Sequence, residues 1–434
     1  VKLGERINNW IDSYDRNSYL KGSILVASNE MLLVNKGFGM ANIEYNVPNE
    51  PTTKYRIGSI SKSFTAMAIF QLHEKGKLHI DDYIAQYLPH YPNGHQITIY
   101  HCLTHSSGIP NYTGFPDFWS YTMRLPLSLP QLIETFKDRG VEFAPGSKFA
   151  YSNSGYALLT SIIEVVSGRT YPEYIQENIC EPLGMKNTGC DNGKKIIPNL
   201  AAGYSFWEEM IYPAHADLSF PLGAYGLYST TEDLFIWDYA LKTSHLLSKD
   251  LTEKMLTPSL TPYASGWMVS KVLGRKCMYH WGDISGFSSI FLRFVSEQLT
   301  IIFLSNVNMT PAMPLMKDLA KVIFGEDVML PAPLVPVPST KKIESITGKY
   351  VLQEDETKVL EISLQPEGLY LTLSKKYGEL YKFQLILTNE ELTRTIFSTE
   401  MIHEQLIFHY TLSGGIESIE YLDCDGGSFT LRKI

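Results

Sequence analysis

The sequence predicts an α/β (α+β) protein: an antiparallel sheet covered by helices, followed after a proline-rich linker by an all-β barrel or sandwich. Three observations carry this. The chain opens strand–strand–helix, with β-rich runs at 22–27 and 31–37 and then an almost wholly apolar helix. Four prolines fall within the eight residues 331–338, a stiff extended spacer. Beyond them, about eight short apolar segments recur at even spacing. The expected division is a first domain over 1–328, a linker over 329–342 and a second domain over 343–434.

In chain order, Leu3, Ile7, Trp10, Ile11 and Tyr14 recur at helical spacing and predict an opening amphipathic helix. The polar turn Ser28-Asn29-Glu30 joins the first two strands as a hairpin. Residues 64–72 read as a helix buried on most sides, stopping near Gly76. Residues 97–111 (ITIYHCLTHSSGIPN) read as a short helix running into a Gly-Ile-Pro turn. His101 and His105 lie four apart, but no glutamate follows His101 as an H-E-x-x-H metal site requires, so both are expected to be packing residues. The loop beyond carries Tyr112, Phe115, Phe118, Trp119 and Tyr121, which suit either a cleft wall or half-buried loop packing. Further helices are expected at 156–167, after the Ser/Thr cap in GAYGLYSTTEDL (223–234), and at 315–324. Strands are expected at 276–283, 287–294 and 299–305. In the tail they are expected at 348–352, 359–364, 369–374, 381–387, 393–397, 405–412, 416–421 and 428–433.

Composition narrows the function. At 434 residues the chain exceeds one ordinary core. An apolar fraction of 44% with 19% charged residues is that of a folded protein. A net charge of −9 argues against a nucleic-acid partner. No apolar run approaches the roughly 18 residues of an integral membrane segment. Cys102, Cys180, Cys190, Cys277 and Cys424 are scattered and odd in number, which gives neither a disulfide framework nor a zinc site. The chain opens on Val1 with no signal-like apolar segment, which reads as a trimmed or processed start.

The candidate chemistry begins at Gly58-Ser59-Ile60-Ser61-Lys62. Residues three apart share a helical face, so Lys62 is expected beside the Ser59 hydroxyl. A serine hydroxyl needs an adjacent base, and an ammonium at the edge of a dry interior loses its hydration, which lowers its pKa and lets it accept a proton. The positive end of the helix dipole also favours negative charge developing at Ser59. The S-x-x-K spelling recurs at Ser18–Lys21 and Ser339–Lys342, but only the copy at Ser59 precedes a buried helix. Tyr151-Ser152-Asn153 stands just before another helical run. A tyrosine there can relay a proton once a neighbouring cation lowers its pKa, and an asparagine amide can hold a substrate carbonyl or a lysine. The same Y-x-N spelling at Tyr91-Pro92-Asn93 marks a plain turn. His280, expected on an edge strand, can pair with a substrate or with Tyr151, or simply be satisfied by its neighbours.

Taken in order, Ser59-x-x-Lys62, Tyr151-x-Asn153 and His280-Trp281-Gly282 resemble the motifs of the penicillin-recognising serine hydrolases. That family includes class C β-lactamases, D-alanyl-D-alanine carboxypeptidases, D-aminopeptidases and related esterases. LTHSSGIP (103–110), PGSKFAYSNSGY (145–156), EPLGMKNTG (181–189) and YGLYSTTEDL (225–234) look like its recurring segments. The resemblance covers roughly residues 5–325, and the tail is similar to lipocalin-like barrels attached to some members. It implies a β-lactamase-like antiparallel sheet flanked by helices, with a helical region beside it. Ser59 is then the acylated nucleophile, Lys62 and Tyr151 the proton-transfer pair, and Asn153 a positioner of substrate and lysine. Backbone N–H groups of Ser59 and Asp283, beside Gly282, would form the oxyanion hole. The substrate would be a small peptide or ester, with no metal or organic cofactor and a periplasmic or secreted home. Many β-lactamases carry Lys-Thr-Gly where this chain has His280-Trp281-Gly282. A histidine there weakens recognition of a penicillin-like carboxylate and favours the peptidase and esterase relatives. A weak β-lactamase, or a non-catalytic sensor gripping a cell-wall peptide, is the alternative. An α/β-hydrolase esterase lacks support, since no G-x-S-x-G occurs in the chain.

Overall fold

The computed structural model describes residues 2–434. The chain forms two compact units, one of Gly22–Ala202 with Ala214–Asn306, the other of Val1–Lys21, Gly203–Pro213 and Val307–Ile434.

The first of these is built on a seven-stranded sheet in the order 263–264, 267–272, 275–284, 287–294, 299–305, 22–28, 31–38. Every pairing is antiparallel, and the hairpin that opens the sequence joins the last strand, Ser23 opposite Leu304 and Ser28 opposite Leu299. All residues of Phe287–Phe294 and Leu299–Ser305 are buried. Strands covered on both faces read as continuous apolar runs, which is why these two stood out in the sequence. Arg275–Ile284 has a partner on each side, so His280 lies on an interior strand and not on the expected edge.

The helical layer centres on Ser61–Glu74, buried from Ser61 through Leu72. Asn153–Ser167 and the short turn Leu222–Tyr225 pack beside it. Phe64 stacks on Trp237 of Thr231–Lys242 at 4.3 Å between centroids. Thr230 caps that last helix by accepting from Asp233 N at 3.1 Å. On its inner face Asp238 takes bonds from Arg293 at 2.6 Å, Thr300 at 2.6 Å and Lys242 at 2.7 Å. Burial alone would push the Asp238 carboxyl up, but the Arg293 and Lys242 cations and their hydrogen bonds hold it low.

In the other unit, helices Leu3–Arg16 and Ala312–Ile323 pack together, with Trp10 and Tyr14 both donating to Asp318 at 3.2 and 3.0 Å. The eight tail strands form a closed up-and-down barrel. Each pairs with the next in sequence, and 348–352 pairs with 428–433 to shut it. Tyr381, Phe383, Leu385 and Leu387 alternate inward along one strand, as a period of two requires. One element had no precursor in the sequence pattern. The hairpin Ser205–Trp207/Glu209–Ile211 adds to the barrel strand Leu380–Glu390 through Trp207 opposite Lys382. Lys382 also pairs with Glu208 and lies over the Trp207 ring.

Among the described residues, no helix is long and apolar enough to cross a membrane. All five cysteines are free thiols.

Candidate active site

Ser59 lies in a 3-10 turn, Gly58–Ile60, two residues ahead of the first residue of the helix that carries Lys62. It is not that helix's capping residue; Ile60 stands there and makes no side-chain cap. Two glycines set the approach of this turn to the strand Arg275–Ile284. Gly58 has φ +53°, and a Cβ on it would lie 2.6 Å from Asp283 N. A Cβ on Gly282 would lie 1.8 Å from the Ile57 carbonyl oxygen and 3.3 Å from Ser59 N. Only bare backbone fits, and it packs the turn that carries Ser59 directly against Gly282 and Asp283.

The Lys62 amine is fully buried and has three partners: Ser59 Oγ at 2.9 Å, Asn153 Oδ1 at 2.7 Å and the Ala224 carbonyl at 2.7 Å. Among the described residues it forms no ion pair with a carboxylate. Burial therefore drives its pKa well below the usual lysine value. A neutral amine has two N–H donors and one lone pair. Asn153 Oδ1 and the Ala224 oxygen can only accept, so they take both donors, and the lone pair is left facing the Ser59 hydroxyl. The Asn153 amide is itself oriented, since its Nδ2 donates to Thr113 Oγ1 at 3.1 Å and its backbone N–H to Asn111 Oδ1 at 3.0 Å. Ala224 acts through its main chain and Thr113 and Asn111 through ordinary loop contacts, so nothing in their residue types marked them in the sequence.

Tyr151 places its ring 4.8 Å from Lys62 Nζ and stacks on the partly exposed Trp281 at 5.7 Å. Its hydroxyl is buried without a well-aligned hydrogen bond. Burial raises its pKa, an effect only partly offset by the Ser59 hydroxyl and reinforced by the charge of Asp283. This reverses the expectation of a lowered value: desolvation outweighs the hydrogen bond from Ser59. Tyr151 is thus a phenol at neutral pH.

His280 is fully buried, with Nε2 2.8 Å from Tyr263 OH and Nδ1 2.6 Å from the Trp281 carbonyl. Desolvation, with a smaller push from Lys62, lowers its pKa to about 3. It is neutral and has no nitrogen left over for a substrate. The four groups Ser59, Lys62, Tyr151 and Asn153 therefore share one cluster, with Gly282 and Asp283 at its edge and His280 behind Tyr151.

Elsewhere, Ser18 and Ser339 head no helix, and Asn93 has φ +58° in a turn. His101 caps its own short helix, Ile99–Leu103, by accepting from Thr98 N. His105 lies past that helix, so the two histidines share no face. Of the loop aromatics, Tyr112 and Phe118 are core residues, while Tyr121 is exposed. No three His, Cys, Asp or Glu side chains among the described residues converge as a metal site.

The Beta-lactamase family pattern matches residues 7–323. The chain belongs to the Beta-lactamase family. A Bacillus subtilis (strain 168) protein provisionally named penicillin-binding protein PbpX is 33% identical over 317 residues, covering 70% of this chain and 78% of its own. Two solved structures share the fold. The octameric penicillin-binding protein homologue from Pyrococcus abyssi has a TM-score of 0.68 at 24% identity and covers 100% of both chains. The D-amino acid amidase from Ochrobactrum anthropi SV3, complexed with L-phenylalanine amide, has a TM-score of 0.64 at 22% identity, covering 74% of this chain and 99% of its own. The seven-stranded sheet with its helices is the Beta-lactamase-like fold, and the closed eight-stranded barrel fits a lipocalin-like domain.

Proposed function

We propose that this member of the Beta-lactamase family hydrolyses a small amide or ester through an acyl-enzyme on Ser59. One observation carries the reading: the buried Lys62 amine lies 2.9 Å from the Ser59 hydroxyl and 2.7 Å from each of two pure acceptors, Asn153 Oδ1 and the Ala224 oxygen, an arrangement in which a neutral amine turns its lone pair to Ser59.

In the proposed reaction Ser59 Oγ attacks the substrate carbonyl carbon and its proton passes to Lys62 Nζ. The carbonyl oxygen becomes an oxyanion held by the backbone N–H groups of Ser59 and Asp283. As the tetrahedral intermediate collapses, the carbon–nitrogen or carbon–oxygen bond breaks and the leaving group takes a proton from the Tyr151 phenol. The proton stored on Lys62 restores that phenol. Water then attacks the acyl-enzyme along the reverse path, giving its proton to the same pair and releasing the acid and free Ser59.

The neutral, doubly bonded His280 and the adjacent apolar face of Trp281 support a substrate that is uncharged beside the scissile bond, rather than one bearing a penicillin-like carboxylate. The amidase neighbour acts as a precedent for amides on this scaffold. In this reading residues 1–328 carry the chemistry, and the barrel over 343–434 shapes substrate access or docks a partner. Relatives named as penicillin-binding proteins support a periplasmic or secreted setting.

The test is a screen of D-amino-acid amides, short esters and a chromogenic cephalosporin against the parent and Ser59→Ala. Amide or ester turnover that vanishes in Ser59→Ala, with cephalosporin the poorest substrate, is the expected pattern. Undiminished hydrolysis by Ser59→Ala would overturn the assignment.

A further inference from the structure

His105 belongs to none of the steps above, yet it touches the proton donor from three directions. The segment 104–108 lies along 142–152. Glu142 N–H donates to the Gly108 carbonyl at 2.8 Å and Gly146 N–H to the Ser106 carbonyl at 2.7 Å. At the end of this seam both flanks of Tyr151 are held by one residue. Ala150 N–H donates to the His105 carbonyl at 2.9 Å, and Ser152 N–H donates to His105 Nδ1 at 3.1 Å. The imidazole also packs on the phenol ring itself, 4.2 Å between centroids and 38° between planes.

The rest of its environment gives the ring no other task. It is buried among Tyr156 and Tyr263, at 5.1 and 4.4 Å between centroids. Because Nδ1 accepts, the ring proton sits on Nε2, which is buried without a hydrogen-bond partner. The backbone at residue 105 has φ +54°, a left-handed conformation that a residue other than glycine adopts at a cost. An unpaired buried donor and a strained backbone at the same residue both disfavour it for stability alone; strain of this kind collects where geometry must be held.

We infer that His105 is a positioning residue that holds Tyr151 at the angle from which its hydroxyl protonates the leaving group. The inference rests on the reading of Tyr151 as proton donor. It separates His105 from a structural role because the two leaving groups of interest differ in need. An amine must be protonated to depart, whereas p-nitrophenolate leaves unaided. Misaiming Tyr151 therefore slows an amide far more than an activated ester with the same acyl group.

The experiment measures kcat and KM for such an amide–ester pair in the parent, His105→Asn, His105→Gln and His105→Phe, with Ser59→Ala as control. Asparagine offers an acceptor near the Nδ1 position and tolerates positive φ. Glutamine carries its acceptor one bond too far, and phenylalanine keeps the ring but has none. The expected result is a fall of about 100-fold in kcat for the amide in the Phe and Gln variants, the scale of a roughly 1 Å misplacement. Amide KM and the rate of the p-nitrophenolate burst, which reports ester acylation alone, should stay near the parent's, and Asn should restore the amide. Equal losses in amide kcat and in the ester burst rate, or Gln indistinguishable from Asn, would overturn the inference even if the Phe variant failed to fold. Hydrolysis surviving in Ser59→Ala would instead overturn the underlying reading.

Discussion

Replacing Gly282 with alanine tests the oxyanion geometry through a single methyl group. The added Cβ would sit 1.8 Å from the Ile57 carbonyl oxygen. Ordinary carbon contacts lie near 3.5 Å, so turn and strand must part by roughly 1.5 Å. Gly282 is paired opposite Ser289 in the sheet, whereas Gly58 and Ser59 lie in a turn outside any strand. The turn is therefore expected to yield, taking the Ser59 amide away from that of Asp283. A shift beyond 1 Å in a reacting group costs on the order of 100-fold, equivalent to about 2.7 kcal/mol of transition-state stabilisation. The assay is kcat/KM on an ester, normalised to the Ser59 titratable by a phosphonate so that unfolded material does not count. A normalised kcat/KM within tenfold of the parent would refute the argument that these two amides act together.

Other residues give equally specific expectations. Asn153→Asp sets a carboxylate where an amide oxygen now lies 2.7 Å from the Lys62 amine. An anion there favours the ammonium, so the acid limb of kcat/KM should move up by about 1–3 pH units; an unmoved limb would count against Lys62 as the titrating base. Asp238→Ala strands the buried Arg293 and should cost about 3–5 kcal/mol in urea unfolding, with a cost below about 1 kcal/mol contradicting the ion pair's assigned role. Because the folded-state pKa of Asp238 is depressed, its contribution is present above the ordinary carboxylate pKa and is lost as pH falls through the lowered value. Lys382→Glu puts like charge against Glu208 and removes the cation from the Trp207 ring, so chymotrypsin should cut within 203–213, after Phe206 or Trp207, faster than in the parent. Unchanged cleavage would mean that the strand pairing alone secures the hairpin.

The core of the site was legible because its chemistry is local. Ser59 and Lys62 are one helical step apart at the head of an apolar run, and Tyr151 and Asn153 bracket a helix start. The barrel strands were legible because alternation shows plainly where one face is buried, as at Tyr381, Phe383, Leu385 and Leu387. His280 was harder. Its strand is paired on both sides, and nothing in the spacing said whether it faced a substrate or Tyr263. The sign of the Tyr151 shift depends on how deeply its own hydroxyl is buried, which is a three-dimensional quantity. The Ala224 carbonyl, the hairpin at 205–211 and the grip of His105 on residues 150 and 152 are main-chain or long-range features. Such features leave no mark in residue type.

The central claim, that a discharged Lys62 deprotonates Ser59, is tested most directly by phosphonate labelling rates followed by intact mass across pH in the parent and Lys62→Met. The account predicts an adduct on Ser59 whose rate in the parent levels off well below the ordinary lysine pKa of 10.5, and a loss of that labelling in Lys62→Met. An adduct elsewhere, or a rate that climbs through pH 10.5 alike in both proteins, would contradict it.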